Sequence, residues 1–496
     1  MTVSHKPRLR YRGGQLVQVR ASAYEGASSK RRMAGKGTLV SGPNGPIERS
    51  LPMLVARSHN AIRNNAYATS AKEKYISNLV GTGIKPQWGD ETIQALWDRW
   101  AGECDADGVD NFYGLQSMAV GSQFEAGEAL ARIRYRRKSD GLAVPMQLQL
   151  IEPEHLDPAY SQAFGGRLIK MGIEFNAIGQ RTVYHLWRFH PHEQITRELN
   201  TRVPVPAEGV IHMYRRQRPG QLRGVPELTS VIVRLYEIDE MQDATLARQK
   251  LAQLFGVFVK RKTSHDPEDE GPMFGELVSM PGEVEPLGEF TPGGIHYLED
   301  DEEVQFSNPP DIQSQYTEWL RTELLAVAAG AGITYEQLTG DLKGVNYSSI
   351  RAGLLEFRRR VEALQATLIV HQWCRRIAAK WLDVAVTSGA LAIPGYWQGA
   401  REHALAIDWI APKWAWVDPL KEVTADLLEV RAGFKPRSEA AGERGWSIEQ
   451  LDAEIDRANQ SADRFGLLLD SDPRHMAKNG SLHQALEALA NTDEEN

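Results

Sequence analysis

Cysteine is nearly absent: Cys104 and Cys374 are the only two in 496 residues. Neither has the Cys or His spacing of a disulfide framework or a thiolate metal site, so neither device organises this fold. Folding in a reducing cytoplasm is the expectation. Long apolar runs are also missing. No stretch approaches the roughly eighteen apolar residues that a membrane span needs, so no membrane partner is expected. The start, MTVSHKPRLRYR, is basic with no apolar core behind it, and is not read as a secretory signal. Catalytic signatures are absent as well. The nearest text to a phosphate-cradling G-x-x-x-x-G-K-[ST] loop is AGKGT at 34–38, which lacks the first glycine. There is no G-x-S-x-G nucleophile elbow and no H-E-x-x-H zinc motif. The last absence is local: from Thr263 to Leu320 there are fifteen acids and no Lys or Arg. DNA affinity comes largely from Lys and Arg neutralising phosphate, so such a surface does not clamp DNA; it suits one that lets DNA slide past.

What is present is ordinary for a soluble protein: 42% hydrophobic and 25% charged residues, with a net charge of −8. The length predicts two to four domains. Positive charge collects at the start, where residues 1–37 hold nine Lys or Arg and the single acid Glu25. Such arms are solvated tails or bind nucleic acid. The Gly, Ser, Ala and basic composition of Arg20–Ser50 predicts a flexible arm.

Hydrophobic periodicity then organises the chain. One helical pattern runs from Leu51 to about Asn78 and stops at GTG (81–83); others cover Glu91–Glu103 and Phe112–Gly127. The period changes to two in Leu130–Arg136 and Met146–Leu150, with SDG (139–141) between them as a hairpin turn. Ile173–Phe175 and Thr182–Phe189 are further strand candidates, giving a mostly antiparallel mixed region. Helical period returns from Pro226 to Phe255, with Leu228, Val231, Leu235, Ile238 and Met241 as the apolar stripe. Its other face carries Glu237, Asp239, Glu240 and Asp243. The acidic window follows, with strand-like pieces at Phe255–Val259 and Val304–Phe306. After it come a helix near 313–331, a polar link, a long helix from about 348 to 386, and two or three helices in 419–467.

Several groups invite chemistry. HPHE (190–193) joins two histidines to a glutamate, but the sequence supplies no third ligand and Pro191 suggests a strand end. His371 falls three residues beyond Leu368 on the long helix, as a core or interface histidine would. Glu299, Asp300 and Asp301 are adjacent, yet nothing nearby would split their pKa values for acid and base roles. Arg351, Arg358, Arg359 and Arg360 fit a solvated face or intersubunit ion pairs better than phosphate contacts. The twelve tryptophans show no interleaving with basic residues, so they are read as core or interface.

The stretch GDLKGVNYSSIRAGLLEFRRR (Gly340–Arg360) is the most informative, a polar loop with one lysine held between two helices. It resembles the matching segment of lambda-type tailed-phage portal proteins. So do RSHNAIRNNAYATSAKEKYISNLVGTGIKP (Arg57–Pro86) and RPGQLRGVPEL (Arg218–Leu228), and the three lie in the same order, with weaker similarity from about residue 45 to 470.

The resemblance implies an α+β portal architecture. Residues 1–50 would be a flexible basic arm, 51–225 the first part of a mixed α/β wing, 226–256 stem helix 1, and 257–312 an acidic clip. Residues 313–331 would be stem helix 2, 332–348 a tunnel loop, 349–418 the long helix and the rest of the wing, 419–470 a helical crown, and 471–496 a polar tail. It further implies a ring of this chain, a dodecamer, at one capsid vertex of a virion assembled in a bacterial host's cytoplasm. Double-stranded DNA would be packaged and ejected through the channel. Terminase large subunit and head-tail connector proteins would dock on the ring, with major capsid and scaffold proteins nearby. No cofactor, metal or enzymatic activity is implied. Gly340, Asp341, Lys343, Gly344 and Asn346 would form the loop facing DNA, and Glu237, Asp239, Glu240 and Asp243 would line the channel. Two other readings stay open: a metal-dependent nucleic-acid-processing enzyme, and a capsid adaptor without a channel.

Overall fold

The computed structural model describes residues 9–12, 15–18, 41–193, 200–253, 257–261, 302–306, 313–343, 347–412, 419–444 and 446–467. The acidic clusters at 266–270 and 299–301, the tail from 471, Gly344 and Asn346 lie outside them. Within the expected arm, strands β1 (Leu9–Arg12) and β2 (Gln15–Gln18) pair antiparallel. The expected flexible arm also ends earlier than residue 50, because α1 (Asn44–Asn64) begins there. Pro46 lies in its first turn, where a missing N–H costs nothing.

The single helix expected over Leu51–Asn78 is two, α1 and α2 (Ala66–Leu79). Asn65 between them is extended (φ −109°, ψ 120°), and its side chain accepts the Ala68 N–H at 3.0 Å. Asparagine offers the backbone this local alternative, so it caps rather than continues a helix. After β3 (Lys85–Gln87) come α3 (Glu91–Ala101) and α4 (Phe112–Ala126). Helix α4 buries residues on every face, as a central helix must.

It packs on a sheet of β4 (Glu128–Tyr135), β5 (Met146–Ile151) and β11 (Val210–Tyr214), antiparallel in the order β11-β4-β5. Between them in sequence lie β6 (Gln162–Phe164), β7 (Arg167–Lys170), β8 (Ile173–Phe175), β9 (Arg181–Trp187) and β10 (Arg202–Pro206). These form a second antiparallel sheet, β10-β9-β8-β7-β6. The predicted hairpin β4–β5 is present, with Leu130 opposite Ile151 and Tyr135 opposite Met146. Pieces 162–170 and 202–214 escaped the sequence reading because most are short, and β11 is buried throughout, which erases alternation.

Next come α5 (Ile232–Gln253), the pair β12 (Val257–Arg261) and β13 (Glu302–Phe306), and α6 (Gln313–Ala331). Then α7 (Tyr335–Thr339) and α8 (Tyr347–Leu364) follow. From α8 the chain passes through a π-helical stretch, Gln365–Cys374, straight into α9 (Arg375–Ser388). The last elements are α10 (Ala400–Ala404), β14 (Asp408–Ile410), which pairs with β3, α11 (Pro419–Ala432), α12 (Arg437–Glu443) and α13 (Ile448–Phe465).

One core joins α2, α3, α4, the three-stranded sheet, the start of α5, the end of α6 and the long helix. Trp97, Trp100, Trp373 and Trp381 are fully buried in it. Trp97 meets Trp100 at 4.9 Å and Trp381 at 5.0 Å between centroids. Such pairs add about 0.5–1.5 kcal/mol each beyond the area they bury. Gln365 Nε2 donates to the Leu79 carbonyl at 3.0 Å, tying the long helix to the end of α2. His371 was expected on the apolar stripe and is exposed instead. The i→i+5 winding of this stretch breaks the 3.6-residue register on which that expectation rested.

Candidate functional site

Helices α5 and α6 leave the core together. On α5 Ile238 is buried and none of 239–250 is; on α6 none of 316–323 is buried and Leu324 is. Val231 lies against Gly330 and Arg234 pairs with Glu323, so the helices run antiparallel. A Cβ on Gly330 would come within 2.2 Å of Val231 Cγ1, so only glycine permits this approach. The pair β12–β13 closes the chain at the far end, where the acidic window departs and returns.

Glu237 and Glu240 lie one turn apart on the exposed face of α5, and Asp243 is exposed further along. Asp239 is half-buried, and its Oδ1 accepts from Asn65 Nδ2 at 2.7 Å, so it faces the α1–α2 corner. Met241, expected on the apolar stripe, is 42% exposed, because the helix has left the core by that turn. Val233, Leu246 and Leu325 are also exposed apolar groups on this pair.

At the inner end, the segment expected to be a loop contains α7. Thr334 and Gln337 form a reciprocal capping box that starts it, a signal legible as T-x-x-Q. Ser70 Oγ donates to the Leu338 carbonyl at 2.9 Å, and Leu338 is buried in the core. Gly340 ends α7 in the left-handed region at φ +71°. Beyond it, Thr339 Oγ1 accepts the Asp341 N–H at 3.1 Å and Asp341 Oδ1 accepts the Lys343 N–H at 3.0 Å. Lys343 is exposed, as are Gly340 and Leu342. Of the arginines, Arg360 lies over Gly332, where a Cβ would meet its Nη1 at 1.4 Å, and Arg359 pairs with Glu356 at 3.5 Å. Arg360 is thus half-buried, with its guanidinium packed over Gly332.

Two polar centres went unseen in the sequence. Glu128 lies buried between Arg223 and His212, at 2.6 Å from Arg223 Nε and 2.8 Å from His212 Nε2. Burial works to raise the Glu128 carboxyl, but the Arg223 charge and the His212 hydrogen bond outweigh it and bring it down to about 2. Burial depresses His212 to about 4. The neutral ring donates from Nε2, and its Nδ1 faces the Arg181 and Tyr184 donors at 3.3 Å. The second centre borders a cleft of about 820 Å³ between α1 and the turns that follow β5 and β9. There His59 Nδ1 meets Glu125 Oε1 at 2.6 Å and its Nε2 meets Glu154 Oε1 at 2.9 Å. Those bonds, to Glu125 first, raise His59 to about 10. His190 of the HPHE motif joins Glu152 and Glu154 in the same place. Of that motif only His190 takes part, and both carboxylates come from the turn after β5. Burial pushes both thiols, Cys104 and Cys374, upward, so neither is a nucleophile.

The family model described as "Phage portal protein, lambda family" matches residues 29–365. The chain belongs to the lambda family of phage portal proteins. Three named relatives agree. "Portal protein" of Escherichia phage N15 is 22% identical over 89% of this chain and 93% of its own length. "Portal protein B" of Escherichia phage lambda is 21% identical, covering 83% and 84%. "Probable portal protein" of Halomonas phage phiHAP-1 is 25% identical over 67% of this chain, and the chain spans 63% of that relative's length. Among solved structures, the chain is similar to one from the virion of a native gene transfer agent particle, with TM-score 0.46, 15% identity, and 79% and 93% of the two chains covered. It is also similar to an HK97 family phage portal protein from Corynebacterium diphtheriae, with TM-score 0.30, 12% identity, and 60% and 84% covered. The portal family is structural, and the α+β fold accords with it. Among the described residues no helix is long and apolar enough to cross a membrane. The family match ends within the long helix, so α9 to α13 lie beyond it.

Proposed function

We propose that this portal protein assembles as a closed ring, a dodecamer, at one capsid vertex and surrounds double-stranded DNA. One observation carries the reading: two antiparallel helices project from the core with an insertion at their far end and a lysine-bearing turn at their near end. Their exposed faces mix acids with apolar groups, which suits helices that meet neighbours on one side and a channel on the other. Ring closure needs two different surfaces per subunit, joined head to tail. In this reading α5 and α6 are the stem, 257–312 the clip, 332–348 the tunnel loop, the sheets and the long helix the wing, and α11–α13 the crown.

The mechanism is passive. Glu237, Glu240 and Asp243 repel phosphate and keep the duplex centred, while Lys343 and Asn346 touch it weakly and repeatedly. A phosphate contact positions without reading sequence, as a passage for any genome requires. Force comes from a separate ATPase, the terminase large subunit, docked with head-tail connector proteins at the clip. The arm lies near capsid and scaffold proteins, and the ring assembles in the host cytoplasm before entering the virion. The chain itself is not an enzyme.

Negative-stain imaging of the purified protein tests this. Annular particles are expected, and a compact monomer with divalent-dependent nuclease activity would replace the reading with that of an enzyme.

A further inference from the structure

We infer that Glu152, Glu154 and His190 form a binding site for a divalent transition metal of the zinc class. The ligand atoms of these three residues all lie within 4.8 Å of one another. Glu152 and Glu154 flank the turn after β5, and His190 follows β9, so the site joins segments that belong to different sheets.

The second observation is that polar atoms here lack partners. Glu154 Oε2 and His190 Nε2 are both shielded from water, and neither has a hydrogen bond. His190 Nε2 lies 3.0 Å from Glu152 Oε2 but without the alignment of a hydrogen bond. A buried polar atom without a hydrogen bond is costly, and two in one place call for a shared ligand. A metal ion satisfies both.

The surroundings hold the donors in position. His59 engages Glu154 Oε1 at 2.9 Å, fixing that carboxylate and leaving Oε2 as its free donor. A ligating carboxylate is ordinarily held in this way by an outer partner. The His190 ring packs edge-on against His155, 5.6 Å away between centroids, and its Nδ1 faces the His192 backbone N–H at 3.3 Å, a contact that ligation through Nε2 would give up. The cleft beside them supplies room for water in the remaining coordination position. One imidazole with two carboxylates suits Zn²⁺, Mn²⁺ or Co²⁺, whereas Mg²⁺ and Ca²⁺ prefer oxygen alone. The ion would staple the two turns together beside α1.

The test uses the full chain, stripped with chelator and titrated with Zn²⁺ alone by calorimetry, with bound metal counted by elemental analysis. About one ion per chain is expected, together with a rise in Tm on adding zinc. Co²⁺ in its place is expected to give a visible absorption band. Glu152→Gln changes an exposed side chain and leaves the fold intact; it and His190→Ala are each expected to weaken binding by more than about tenfold. Far-ultraviolet circular dichroism of the metal-free variants confirms that they fold. His192→Ala is expected to leave binding unchanged. No saturable binding by the parent chain would overturn the proposal. So would binding that survives Glu152→Gln and His190→Ala in folded protein, or binding that His192→Ala alone abolishes.

Discussion

Arg223 Nε donates to Glu128 Oε1 at 2.6 Å, and both side chains are shut away from solvent. The same guanidinium donates to the carbonyls of Leu156 at 2.7 Å, and of Met171 and Pro153 at 3.3 Å each. One arginine therefore holds the start of β4 against the turn that follows β5 and the turn between β7 and β8. Removing one partner of a buried pair leaves an uncompensated charge, at a cost of about 3–5 kcal/mol. Arg223→Ala is expected to lose about that much in urea unfolding. Arg223→Met combined with Glu128→Leu is expected to lose less, because no charge is stranded. If the double variant were the less stable of the two, the pair would not act as a unit.

The same centre makes stability depend on acid. His212 takes up a proton at about 4 in the folded chain against 6.5 ordinarily, and Glu128 at about 2 against 4.5. In both cases the unfolded chain binds the proton more readily, so folding is favoured above the ordinary values and weakened below them. The His212 contribution is whole above pH 6.5 and is lost as pH falls towards 4. That of Glu128 is lost between 4.5 and 2. Thermal melts are expected to show Tm falling from about pH 6.5 downward, and His212→Gln should remove the upper part of that fall. A variant that keeps the same profile would assign the dependence elsewhere.

Two glycines separate packing from conformation. A Cβ on Gly224 would lie 1.9 Å from the Gly127 carbonyl oxygen, and backbone cannot step aside as a side chain can. Gly340 has φ +71° with nothing within 4 Å of a Cβ. Gly340→Ala is therefore expected to cost only the left-handed penalty, about 1–2 kcal/mol. Gly224→Ala must push the loop at Gly224 away from the junction of α4 and β4, and about 3 kcal/mol or more is expected. Equal urea midpoints for the two variants would contradict the close approach.

These centres also show what the sequence could carry. Periodicity reported α3, α4, α6 and the β4–β5 hairpin well, because each has one clear apolar face or sits between strong turn signals. It missed the break at Asn65, where a capping residue hides inside an unbroken helical pattern. It missed the π winding, which has no residue signature in a single sequence. Arg223 was visible within RPGQLRGVPEL, but its partner Glu128 lies 95 residues away and is met only through the pairing of β11 with β4. HPHE likewise lacked its carboxylates because Glu152 and Glu154 arrive from the turn after another strand. Sequence reveals patterns along one element; these sites are made by register between elements. The loop is the opposite case, since Gly340, Asp341 and Lys343 build a local turn from local side chains.

That turn gives the last prediction. Asp341 binds the Lys343 N–H, and Thr339 binds that of Asp341, so the base of the loop is pinned to α7 while the lysine side chain stays exposed. A single Lys343 per subunit gives one exchangeable phosphate contact, and a ring multiplies it. If the loop meets DNA as proposed, Lys343→Ala should leave rings intact while particles hold less DNA, and Lys343→Arg should restore retention. Lys343→Glu should be worse than alanine, since it adds repulsion to a lost contact. Glu237→Lys with Glu240→Lys should err the other way, holding the duplex and slowing its passage, with an effect that fades as salt rises. Genome length per particle and DNA loss on storage measure both. Normal packaging and retention in a Lys343→Ala/Asn346→Ala double variant would remove the loop from the mechanism and leave the channel acids to act alone.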